Sequence, residues 1–264
     1  MESDLCPKCG YRRQPQDTVP DTECPRCGIV FAKYAKYHAV ESAGPAAEPA
    51  VTTLDDAPEQ GWRESLKGRL LELPEQLDEM TLILRALLFG AFLVWGMRLI
   101  AYDWHTARIM ESFLHLVNLP FHEFGHVLFG PFGRWLMFLG GSLFQCLLPA
   151  ILGAIFLFRY RDAFAASFCL WWTGENFLDV APYIGDARLM AMPLTGEWND
   201  DVAELHAQRH DWHNILEPLG LLSWDFRLAA VAHTLGAVLM LLAWVWGGLW
   251  LYRAWRKLRL GDAG

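Results

Sequence analysis

The sequence predicts a mostly α-helical, polytopic membrane protein with four or five transmembrane helices, preceded by a small cysteine-held module. Three observations predict it. Apolar runs of about 20 residues, the length that crosses a bilayer core, recur through residues 81–260. The whole chain of 264 residues is 53% hydrophobic, with 13 Trp and 16 Phe, and it is these runs that carry the excess. The first 37 residues differ in kind: they are polar and contain two C-x-x-C pairs. The net charge of −8 leaves no broad basic surface, so nucleic acid is not an expected partner. The first residues, Met1-Glu2-Ser3-Asp4-Leu5-Cys6, lack a basic stretch followed by an apolar core. Insertion is therefore expected to use the internal segments.

Residues 1–37 hold Cys6-Pro7-Lys8-Cys9-Gly10 and Cys24-Pro25-Arg26-Cys27-Gly28. In each pair a tight turn lets both thiolates reach one ion, and the glycine permits the turn. Two such pairs at this separation predict a zinc ribbon, with Cys6, Cys9, Cys24 and Cys27 closing a structural Zn2+ site. Such a ribbon can bind nucleic acid or protein, and a cytosolic protein is the partner expected here. Residues 38–61 are rich in Ala, Pro and acidic side chains without apolar periodicity, and read as a flexible linker. Trp62, Leu66, Leu70, Leu73, Leu77 and Met80 then recur at helical spacing. They predict an amphipathic juxtamembrane helix over 62–80, bent or split at Pro74.

The membrane domain occupies 81–260. Spans are expected at Thr81–Tyr102, Leu136–Phe158, Ala163–Tyr183 and Phe226–Tyr252, with Arg85 and Arg98 snorkelling from the first. Arg253, Arg256, Lys257 and Arg259 place the C-terminus in the cytoplasm by the positive-inside rule. Reduced cysteines place the N-terminus there too. Four crossings satisfy both ends.

Between the first two spans lies His122-Glu123-Phe124-Gly125-His126. On a helix, His122 and His126 share a face and can hold one metal ion, with Glu123 beside them as general base. Pro120 and Pro131 leave only about ten residues of unbroken helix, roughly 15 Å, so this segment is expected to be re-entrant or broken and to line a protein cavity. A catalytic zinc takes three protein ligands, so one more is needed. Asp186 is one candidate. Asp179, Glu175 and the more distant His210 are the alternatives. Residues 189–225 form a polar, acidic loop with His206, His210 and His213 at i, i+4 and i+7. Those three could mark a second metal site or simply a solvated face. His210-Asp211-Trp212 could also fold back over the metal segment.

These residues resemble the site-2 protease family of membrane-embedded zinc metalloproteases. The resemblance covers roughly Phe113 to Arg188. It rests on HEFGH in an apolar segment, a Gly-Gly-Ser-x-x-Gln pattern at 140–145, and a later span ending with Asn, Pro and Asp. The chain departs from the family pattern in two places: Asn176 lies six residues before Pro182, and Ala187 follows the Asp where the family has Gly. The chain is also similar to bacterial membrane proteins that combine these features with a ribbon. The resemblance implies His122 and His126 as ligands, Glu123 as base, and an Asp near Pro182 as third ligand, for which Asp186 is preferred over Asp179. It implies that Gln145 and Asn176 position a substrate backbone, and that membrane proteins or peptides are the substrates. The implied location is a bacterial inner membrane. The competing expectation is a catalytically inactive membrane adaptor that keeps its metal for folding.

Overall fold

A computed structural model of the chain describes residues 5–38, 66, 68–192 and 207–261. The chain divides into two compact units, 1–59 and 60–264. In the first, single antiparallel bridges pair Leu5 with Arg12 and Glu23 with Val30. A short helix, α1, spans Phe31–His38.

The second unit is helical. Its helices are α2 (Glu79–Ile100), α3 (Phe113–Phe129), α4 (Arg134–Phe158), α5 (Ala163–Gly185), α6 (Asp211–Leu216) and α7 (Asp225–Gly261). Among the described residues three helical segments are long and apolar enough to cross a membrane: Glu79–Ile100, Arg134–Phe158 and Leu222–Leu260. They make this a membrane protein by length and composition. The expected span at Ala163–Tyr183 is indeed helical, but it is not among the three. It carries Glu175, Asn176 and Asp179 in its second half, and all three are buried. α5 packs against α4 and α7, so its polar groups meet protein. Backbone contact between α5 and α7 needs glycine on both sides: a Cβ on Gly174 would lie 2.6 Å from the Gly236 carbonyl, and one on Gly236 would lie 2.5 Å from the Gly174 carbonyl.

Local chemistry sets the helix ends. The Asp78 side chain accepts the Thr81 N–H to start α2, and Asp162 accepts the Ala165 N–H to start α5. Arg85 finds a protein partner. It forms a two-pronged ion pair with Asp162, at 2.8 and 3.2 Å, and covers the Trp250 ring.

Two expectations about helix continuity change. Most of the 38–61 linker, and the start of the 62–80 helix, lie outside the described residues. Within them, helix ends at Leu70, and turn or extended chain follows to Asp78. Pro74 removes the N–H that would continue it. This segment lies on α7, where Trp246 and Trp250 donate their indole N–H to the carbonyls of Leu70 and Glu72. In the opposite sense, α3 runs for 17 residues straight through Pro120. The ring removes one backbone hydrogen bond, and packing against α4 holds the helix together across it.

Candidate metal centres

The first centre is built from two copies of one turn. The Gly10 N–H donates to the Cys6 carbonyl and the Gly28 N–H to the Cys24 carbonyl, each at 2.9 Å. Both glycines have φ of +68°, the left-handed region that side-chain-bearing residues avoid. The turns bring Cys6 Sγ to 3.7 Å from Cys27 Sγ, and Cys9 Sγ to 3.7 Å from Cys24 Sγ. All four are free thiols. A tetrahedral ion about 2.3 Å from each sulfur sets sulfurs roughly 3.8 Å apart, so the set fits one.

The second centre joins α3 to α6. The Nε2 atoms of His122 and His126 lie 3.0 and 3.2 Å from Asp211 Oδ2. These three ligand atoms form the second metal-capable group among the described residues. Each ring is held from behind. His122 Nδ1 faces Gln145 Oε1 at 3.0 Å, and His126 Nδ1 faces the Met137 carbonyl at 2.8 Å. Both acceptors are carbonyl oxygens, so each Nδ1 carries the hydrogen. Neutral rings then turn Nε2 lone pairs toward a carboxylate. Such an arrangement needs a cation: a proton on each ring, or one metal ion shared by all three. Burial works to raise the Asp211 carboxyl; where a proton on each ring is the cation, the Nε2–H groups of His122 and His126 outweigh burial and hold it below the usual carboxylate range.

Close backbone approach of α3 and α4 makes room. A Cβ on Gly125 would lie 2.2 Å from the Gly140 carbonyl oxygen. One on Gly141 would lie 2.6 Å from His126 Nε2 and 2.7 Å from His122 Nε2. The Gly140-Gly141 pair is thus the floor under the imidazoles. Asp211 arrives from the far side because α6 is docked on α4. Trp135 Nε1 donates to the Ile215 carbonyl, Trp212 Nε1 donates to Ser142 Oγ, and Ile215 and Leu216 bury against Phe138. The Asp211 N–H donates to the Tyr183 hydroxyl at 3.0 Å.

Asp186, the expected third ligand, is spent elsewhere. It is the C-cap of α5, and its carboxylate accepts the N–H groups of Ala191 and Met192, each at 2.9 Å. Its other neighbour is His210 Nε2, at 3.3 Å. Burial works to raise its carboxyl, and these hydrogen bonds together bring it below the ordinary value. His210 itself caps α6, with Nδ1 accepting the His213 N–H. His213 Nδ1 faces the Ala187 carbonyl, while His206 lies outside the described residues. His210 and His213 therefore hold the turn that carries Asp211, and among the described residues they belong to no metal-capable group. Asp179 and Glu175 sit deeper, in a buried network with His115 and Asn118. Both ends of the Gln145 amide are engaged within the protein, and Asn176 Nδ2 donates to the Trp172 carbonyl.

Glu123 is exposed to a cavity of about 640 Å³ that His122, His126 and Asp211 also line. Apolar walls come from Met110, Leu119, Phe138 and Val180. Sequence reasoning missed Asp211 as a metal-site residue, along with Tyr183, His115 and Asn118. The one available signal was the placement of His210-Asp211-Trp212 after the last buried helix. No family model, curated protein or solved structure matches the chain.

Proposed function

We propose that the protein is a zinc-dependent metalloprotease of the membrane, similar in chemistry to the site-2 protease family, with a zinc ribbon at its N-terminus. The observation that carries the reading is the convergence of two Nε2 atoms and one carboxylate oxygen on a single point, beside Glu123, in the wall of one cavity. Three nitrogen and oxygen donors with space alongside are what catalytic zinc sites use, whereas four closed sulfurs are what structural sites use. Zinc, when bound, supplies a Lewis acid and makes a water molecule acidic near neutral pH.

The protein's own residues do the rest. Gln145 and the Met137 carbonyl fix the tautomers of His122 and His126. Asp211 supplies the compensating negative charge. Glu123 takes a proton at its carboxylate and can return it to a leaving amine. The apolar cavity walls suit the side chains of a membrane protein or peptide in extended form. In this reading the bundle lies in a bacterial inner membrane with both termini cytoplasmic, and the ribbon binds a cytosolic protein.

The test compares Glu123→Gln with the parent chain in cells. The variant is expected to keep both zinc equivalents and to accumulate intact membrane proteins that the parent cleaves, seen as missing new N-termini in the membrane proteome. An unchanged set of N-termini would leave a non-catalytic adaptor as the better reading.

A further inference from the structure

We infer that Asp179 is a positioning residue that sets the ligand tautomer of His122 through Gln145. The inference rests on the metal-site part of the proposed function and assigns work to a carboxylate that touches no metal-site atom. Asp179 is 2% exposed, and Gln145 and Asn118 are equally enclosed, at 4% and 0%. The chain of contacts begins at a donor that elementary chemistry fixes.

The order starts at Trp172. An indole N–H can only donate, and it lies 3.0 Å from Asn118 Oδ1. The Asn118 amide nitrogen is thereby aimed at the carboxylates. It donates to Glu175 Oε2 at 2.9 Å and reaches Asp179 Oδ2 at 3.4 Å. His115 Nδ1 lies 2.9 Å from Asp179 Oδ1. Asp179 is thus an acceptor on both oxygens. Its Oδ2 therefore demands a donor from Gln145, and the Gln145 Nε2–H meets it at 2.7 Å. Once that end of the amide is committed, Oε1 must face the other way. It accepts from His122 Nδ1 at 3.0 Å, so His122 carries its hydrogen on Nδ1 and offers Nε2 as a ligand.

An amide without Asp179 behind it has no such preference. Turned over, it would present its NH2 to His122, favour the hydrogen on Nε2, and remove the lone pair that faces Asp211. The tautomer of a metal ligand on α3 is thus decided by a carboxylate on α5, through an amide on α4. Asp179 and Asp186, seven residues apart on α5, hold different parts of the centre. Asp179 orients a histidine from behind, and Asp186 anchors the segment that brings Asp211.

The experiment is a two-residue cycle on the full-length chain in detergent, with zinc itself as the probe. Chelator competition measures zinc affinity, and His122→Ala identifies the release phase that belongs to this centre. Gln145→Glu sets carboxylate against carboxylate, and Asp179→Asn lets the amide turn over. Asp179→Asn is expected to weaken zinc by about 10- to 100-fold, the usual cost of losing such support, whereas Gln145→Glu keeps an acceptor behind His122. The Gln145→Glu/Asp179→Asn double variant exchanges donor and acceptor between the two positions, and it is expected to regain most of the loss. A merely structural role would not give recovery that depends on hydrogen-bond polarity. Asp179→Asn with parental affinity, or a folded double variant that binds no better than Asp179→Asn, overturns the relay while leaving the metal site standing. If His122→Ala loses no zinc, the metal site itself is wrong and the relay falls with it.

Discussion

The two candidate centres solve the problem of gathering ligands over very different lengths of chain. The four cysteines lie within residues 6–27, and each pair is closed by a turn whose hydrogen bonds stay inside the pair. The His-His-Asp set joins residues 89 positions apart, and α4 and α5 must be in place before Asp211 can meet His122. A site made of local turns needs little surrounding protein, so the bound ion must supply the cohesion. A site made by tertiary packing is already held by what surrounds it. Metal should therefore decide folding in the first and only chemistry in the second.

The largest expected effect tests that contrast directly. Stripping the full-length protein with a strong chelator under reducing conditions is expected to abolish amide-exchange protection in residues 5–38. Residues 79–192 and 211–261 should keep theirs. Protection that survives in 5–38 would break the contrast.

The next effect separates the two aspartates. Asp211→Ala is expected to lower zinc from about two equivalents per chain to about one, as the His-His-Asp centre loses its carboxylate. Asp186→Asn should retain both. Elemental analysis reads the difference, and the reverse result would return Asp186 to the ligand set.

Substitution of the floor glycines should act through packing. Gly141→Ala places a Cβ against both imidazole Nε2 atoms and is expected to displace zinc with little change in thermal stability. Gly125→Ala presses on backbone, where nothing flexible can yield. It should cost about 1–3 kcal/mol, read as a lowered unfolding midpoint.

The smallest effect concerns pH. The Asp186 carboxyl lies below its ordinary value. A carboxyl with a depressed folded value stabilises the fold above its unfolded value, about 3.9, and loses that contribution as pH falls through the folded value. The Asp186 anchor of the 207–216 segment should therefore hold from neutral pH down to about 4 and weaken below it. Limited proteolysis across pH 3 to 6, a range set by the ordinary carboxylate value of about 3.9, checks this. Cleavage that rises first above pH 5, about one unit over that value, would point to a histidine instead.

Much of the fold was legible in the chain because its signals are local or periodic. Apolar runs marked α2, α4 and α7, and HEFGH marked two imidazoles on one helix face. The third span was harder. Composition alone does not separate a lipid-facing helix from one enclosed by protein, and Glu175, Asn176 and Asp179 are tolerable in α5 because α4 and α7 pack on it and Asn118 of α3 hydrogen-bonds Glu175. Pro120 misled in the other direction. A proline predicts a break from backbone chemistry alone, yet here the loss of one hydrogen bond is outweighed by packing along α4.

The sequence by itself determined the two cysteine turns, the apolar helices and the His122–Glu123–His126 face, since each depends on residues at most a few positions apart. Only the tertiary structure decided which carboxylate completes the histidine pair. Asp186 is nearer in sequence, but helix α5 ends at Gly185, and the backbone N–H groups just beyond take its oxygens. Asp211 is farther along the chain, but Trp135, Trp212 and Ile215 dock its helix on α4 and deliver its carboxylate to the imidazoles. Which carboxylate lies against the imidazoles follows from where free oxygens end up after backbone donors are satisfied, and that accounting exists only once the chain has folded.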